Sequence, residues 1–156
     1  MRTLFVLILC MSFGHTAFAA GGDYSSGSGS SSNTMDQPQN PFDKAYALID
    51  SKKFAEAHQE LKKIVAFDKS DNTYNLLGFT ARKSGDLVSA GKYYEKALSI
   101  NSRHVGALQY QGELFITLGE LDNAKQNLEK IGKICWLFAC EEETLLKTAI
   151  DEALDS

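Results

Sequence analysis

The side chains best suited to chemistry are few. Cys135 and Cys140 are spaced C-x4-C, and thiolates serve as nucleophiles, redox centres or soft metal ligands. Each of those uses asks for a surround. A thioredoxin-like redox pair needs C-x-x-C at a helix start inside a βαβ unit, and both are missing. Haem attachment needs C-x-x-C-H, and Glu141 rather than histidine follows Cys140. A Cu(I) or Zn(II) site would need His58 or His104 to join the pair, and neither is near it in sequence. The acids Glu120 and Asp122, and the run Glu141 to Glu143, read as helix-start charge rather than acid–base machinery. G-x-S-x-G, H-E-x-x-H and phosphate-loop motifs are all absent. The expectation is no catalytic residue, no metal, no cofactor and no enzyme.

The amino-terminal text decides how the cysteines are read. Arg2, the apolar run Leu4 to Met11 and Ala17-Phe18-Ala19 form a secretory signal pattern over residues 1–19, cleaved near Ala19. The apolar run is too short for a retained membrane span. Leu9 stands before Cys10 where a lipidation signal wants a small residue. Export, most simply to a bacterial periplasm, leaves Cys135 and Cys140 as an even pair in an oxidising compartment, which favours a disulfide. Trp136 beside them reads as a core plug under the bridge. Residues 20–40, rich in Gly and Ser and poor in apolar side chains, read as a disordered linker. The net charge of −4 is interspersed, without the basic stripe of a nucleic-acid binder or a basic membrane-surface helix.

The elements that must carry these residues are helical and repeated. Gly78 recurs as Gly112, Gly85 as Gly119, Leu87 as Leu121 and Ala90 as Ala124, each 34 residues on. In the unit 71–104, Tyr74, Leu77, Gly78 and Ala81 fall at helical spacing, then Ala90, Tyr94 and Ala97 do so after the turn at Gly85-Asp86. The unit 105–138 repeats the plan with Leu108, Gly112 and Phe115, the turn at Gly119, then Ala124, Leu128 and Ile131. A weaker unit, 41–70, aligns Ala57 with Ala90 at a spacing of 33, places Ala45 at the glycine position and turns through Ser51-Lys52-Lys53. Leu145, Leu146, Ala149, Ile150, Ala153 and Leu154 mark a further amphipathic helix over 142–154, which would cap the last unit.

These residues resemble the tetratricopeptide-repeat family over roughly Phe42 to Ile131. The resemblance implies an all-α solenoid of about three helix-turn-helix units closed by a capping helix. It also implies that the first helix of each unit lines a concave groove that takes a protein or peptide segment. The family's carboxylate clamp uses Lys, Arg and Asn at positions matched here by Phe42, Tyr46, Leu76, Gly106 and Tyr110, so that clamp is not expected. The groove offers Tyr46, Asn75, Phe79, Arg82, Gln109 and Glu113 instead. Arg82 is placed to pair with a carboxylate, and Tyr46 or Phe79 to anchor an apolar side chain. The ending Cys135-Trp136-Leu137-Phe138-Ala139-Cys140-Glu141-Glu142 is similar to that of small exported bacterial proteins of this family. The leading expectation is an exported protein-binding or scaffold module. The alternative is metal or redox handling through Cys135 and Cys140, and self-association through the groove or capping helix is a third reading.

Overall fold

The computed structural model describes residues 40–155. The signal expected over 1–19 and, Asn40 apart, the linker over 20–40 lie outside the described residues. Seven α-helices are present: α1 (Asp43–Asp50), α2 (Phe54–Ile64), α3 (Asp71–Lys83), α4 (Leu87–Ile100), α5 (Val105–Thr117), α6 (Leu121–Ile134) and α7 (Glu141–Leu154). No strand occurs among the described residues.

Short turns make α1–α2, α3–α4 and α5–α6 antiparallel hairpins. All three turns use the same left-handed residue: Gly85 has φ 88°, Gly119 φ 77°, and Lys52 φ 59°. Glycine takes this conformation freely, whereas Lys52 pays a steric cost for it. The starts of α3, α4 and α5 are fixed locally. Thr73 N–H donates to Ser70 Oγ (3.2 Å), Ser89 N–H to Asp86 Oδ1 (3.0 Å) and Ala107 N–H to His104 Nδ1 (3.2 Å).

Small residues sit where helices cross. A Cβ on Gly78 would lie 2.5 Å from the ring of Tyr94, so the missing side chain makes room for that fully buried aromatic of α4. Gly112 occupies the same place in the next unit, but its counterpart to Tyr94 is the smaller Leu128. The vacated volume is filled instead by Leu146 of α7, 2.6 Å from the Cβ position. The capping helix thus completes the third unit by supplying the side chain that α6 lacks. It packs on α5 and α6 much as α5 packs on α3 and α4.

The core runs the length of the stack. Ala45, Leu61, Ile64 and Leu77 join α1, α2 and α3; Ala81, Ala90, Tyr94 and Leu114 join α3, α4 and α5. Leu108, Ala124, Ile131, Leu146 and Ile150 close the far end. A buried polar tie fixes α6 on α5: the Asn127 amide donates to Leu108 O (3.1 Å) and to Gln111 Oε1 (3.0 Å).

Candidate functional site

The first helix of each unit carries the groove residues, and helical spacing sets them on one face. Asn75, Phe79 and Arg82 follow at i, i+4 and i+7 along α3, and Gln109 and Glu113 at i and i+4 along α5. Four of these five are brought together. The Gln109 amide donates to Glu113 Oε1 (2.7 Å), and Arg82 donates to Glu113 Oε2 (2.5 Å). Phe79 reaches the group through Tyr110, at a ring separation of 4.9 Å, and the Arg82 guanidinium lies 5.9 Å from the same ring. Phe54 extends the aromatic row, meeting Phe79 edge-on at 5.8 Å. Tyr46, exposed on α1, stacks loosely with Phe42 at 6.1 Å.

This geometry changes what each residue offers. Arg82 is not a free cation awaiting a partner's carboxylate: its side chain is only 10% exposed and Glu113 occupies it. Salt-bridging residues 31 apart in sequence, on different helices, are invisible to local pattern. Asn75 and Gln109 are buried rather than displayed, at 5% and 4% exposure. The Asn75 carbonyl oxygen finds no hydrogen-bond partner, while its amide nitrogen lies near Gly106 of α5. Burial, and then the charge of Glu113, push the Tyr110 hydroxyl above its ordinary range. Tyr110 had counted in the sequence only as a departure from the carboxylate clamp. Read only as a clamp residue of the wrong type, it was not counted among the side chains the groove offers.

His58 joins a separate small concavity of about 180 Å³ with Ala55, Gln59, Ala81, Ser84 and Asp86. Its Nδ1 lies 3.0 Å from Thr80 Oγ1, and its ring meets Tyr93 at 5.7 Å. Burial, and then the charge of Lys62, hold its pKa below the ordinary histidine value.

At the far end, Cys135 and Cys140 are bonded to each other, with a Cα separation of 5.9 Å. Glu143 brings a carboxylate oxygen within 4.8 Å of both sulfurs. Neither histidine comes to this cluster: His58 is engaged with Thr80, and His104 caps α5. Trp136 corrects the sequence reading. It is 75% exposed, not a plug beneath the bridge. The two cysteines themselves pack against the core cluster of Leu108, Ile131, Leu146 and Ile150, so the short loop between them has nowhere to point but outward.

A model of the tetratricopeptide repeat family matches residues 72–104, the span from α3 through α4. Among solved structures, the chain is similar to the type III secretion translocator chaperone SycD of Yersinia enterocolitica, at 19% identity and a TM-score of 0.63, covering 74% of this chain and 86% of that one. It is similar to MamA at 25% identity and a TM-score of 0.58, covering 74% and 71%. It is similar also to PcrH, solved in complex with the chaperone binding region of PopD, at 14% identity and a TM-score of 0.62, covering 74% and 89%. Comparison with curated proteins finds no match. The chain therefore carries a tetratricopeptide repeat within an all-helical repeat fold, the architecture of a protein–protein interaction module. No helix among the described residues is long and apolar enough to cross a membrane.

Proposed function

We propose that this tetratricopeptide-repeat chain is an exported binding or scaffold module that takes a partner's segment along the face formed by α1, α3 and α5. The observation that carries this reading is the half-buried aromatic pair on that face, Phe79 and Tyr110, whose rings lie 4.9 Å apart. Partly open to solvent and held by the packing of α3 on α5, that row would receive an apolar side chain of the partner. PcrH, alike in fold, is solved with a segment of PopD, so such a stack of helices has held a partner's segment in at least that protein. Export rests on the signal pattern over residues 1–19 and accords with the bonded cysteine pair.

The reading is tested by placing a photoreactive phenylalanine analogue at Phe79, and separately at Lys125 on the outer face of α6. Crosslinking of a discrete partner in the producing cell from position 79, with none from 125, is the expected result. Equal crosslinking from both positions, or from 125 alone, would remove the groove assignment.

The metal- or redox-handling alternative gains one observation, the carboxylate of Glu143 beside both sulfurs. Once the bond is reduced, two thiolates and one carboxylate would face a soft divalent ion. Stoichiometric zinc uptake by the reduced protein, weakened about tenfold by Glu143→Gln, would favour it. No uptake above that of a Cys135→Ser/Cys140→Ser variant would dismiss it.

A further inference from the structure

The loop between the bonded cysteines carries three consecutive large apolar side chains into solvent: Trp136, Leu137 and Phe138, the last 82% exposed. Single exposed apolar residues are ordinary, but three together on one short loop mark a contact surface. The disulfide and the packing of both cysteines on the core hold the loop in place, so little further ordering is needed on binding. Glu141, Glu142 and Glu143 follow at once in the first turn of α7. The result is an apolar tip with an acidic flank. That flank disfavours a lipid surface, because insertion would strip water from the carboxylates and bring them against headgroup phosphates.

A surface of the matching character exists on the same chain. A concavity of about 310 Å³ at the hairpin turns of the first two units is lined by Lys52, Lys53, Phe54 and Lys83 among others. That volume suits one or two large side chains. Phe54, backed by Phe79, gives it an apolar wall. Its one acid, Glu56, lies 3.8 Å from Lys53, whereas Lys52 and Lys83 form no ion pair among the described residues. The balance is positive. The tip cannot reach this pocket within its own chain. Successive helices run antiparallel, so the α1–α2 and α3–α4 turns lie on one edge and the α6–α7 loop on the other, about 20 Å away at 1.5 Å per helical residue.

We infer that the occupant of the pocket is the cysteine-closed loop of a second copy of this chain, its Trp136-Leu137-Phe138 tip seated against Phe54 and its Glu141 and Glu142 set among Lys52, Lys53 and Lys83. Exchanged reciprocally the contact closes a dimer; repeated in one direction it grows a chain. It meets the stack at an edge that adjoins the groove's aromatic row through Phe54 and Phe79, and reversal of Lys52, Lys53 and Lys83 tests it separately from the groove reading.

Trp136 is the protein's single tryptophan, so it reports on its own burial. The emission of the purified full chain is measured over a thousandfold range of concentration beside its mass by sedimentation. The expected result is a shift to shorter wavelength that follows self-association and weakens with salt. The surface variant Lys52→Glu/Lys53→Glu/Lys83→Glu, its fold checked by circular dichroism, should weaken association about tenfold or more. Mixing it with Glu141→Lys/Glu142→Lys should restore the shift. A chain that stays monomeric with unshifted emission overturns the inference. So does association indifferent to the lysine reversal, or a shift produced in dilute protein by zwitterionic phosphatidylcholine vesicles.

Discussion

At the scale of single residues, four glycine-type positions and one histidine make separable predictions. Lys52 adopts the left-handed backbone that Gly85 and Gly119 adopt in the other two turns, and space is open around both glycines. The cost at these sites is therefore conformational rather than steric contact. Lys52→Gly should stabilise by roughly 0.5–1 kcal/mol and Gly85→Ala should destabilise by about 1 kcal/mol in denaturant unfolding. Gly78 and Gly112 face different side chains at similar range. A methyl at Gly78 meets the ring of Tyr94, and one at Gly112 meets the branched end of Leu146, both fully buried. Gly78→Ala and Gly112→Ala should each cost about 1–3 kcal/mol from overpacking, with better helix propensity offsetting part of it at both sites. His58 supplies a pH dependence. Its folded pKa lies below the unfolded value of 6.5, so the fold prefers the neutral ring. That stability is fully present above pH 6.5 and is lost as pH falls through the folded pKa. Unfolding midpoints of wild type and His58→Gln should therefore converge as pH falls below 6.5. Parallel curves would deny His58 this part.

At the scale of elements, α7 starts without a side-chain cap, as α1, α2 and α6 do, but it alone places three acids, Glu141 to Glu143, at the positive end of its dipole. Its hold on the stack comes from Leu146 and Ile150, both buried, and from the disulfide just before it. Leu146→Ala should cost about 3 kcal/mol, because it empties the space that Gly112 opens. Leu145→Ala, on the exposed side of the same helix, should stay within about 0.5 kcal/mol. Reducing Cys135–Cys140 removes a short loop closure worth about 2 kcal/mol on the chain-entropy account. Hydrogen exchange should then quicken in α7 and leave α3 and α4 unchanged. The amphipathic spacing of α7 was legible in the sequence. That Leu146, rather than a neighbour, enters the glycine gap was not, since the gap belongs to α5 and the loop between sets the phase.

At the scale of the molecule, each helix pair packs mainly on its neighbours, so stability should be graded along the stack. α1 is the shortest helix and packs chiefly on α2, whereas α3 is held by α2, α4 and α5. Native-state hydrogen exchange should open α1 first and α3 to α5 last. Uniform protection from α1 to α6 would contradict this nearest-neighbour picture. The Arg82–Glu113 pair ties the second unit to the third across the inner face. Arg82→Ala would leave Glu113 half-buried beside the aromatic row and should loosen that junction more than an exposed charge loss would.

The repeat period, the turn positions and the small residues at helix crossings were settled by the sequence alone, because each depends on backbone geometry that recurs with the chain's own spacing. The pairing of Cys135 with Cys140 agreed with them. Tertiary structure decided which headgroup meets which: Arg82 with Glu113, Phe79 with Tyr110, Leu146 with the gap at Gly112. It also turned Trp136 outward, because the cysteines had already covered the core there. Periodicity assigns a residue to a face of a helix. Only the packed helices determine what stands opposite, since that depends on side chains contributed by another unit at distances the local pattern does not encode.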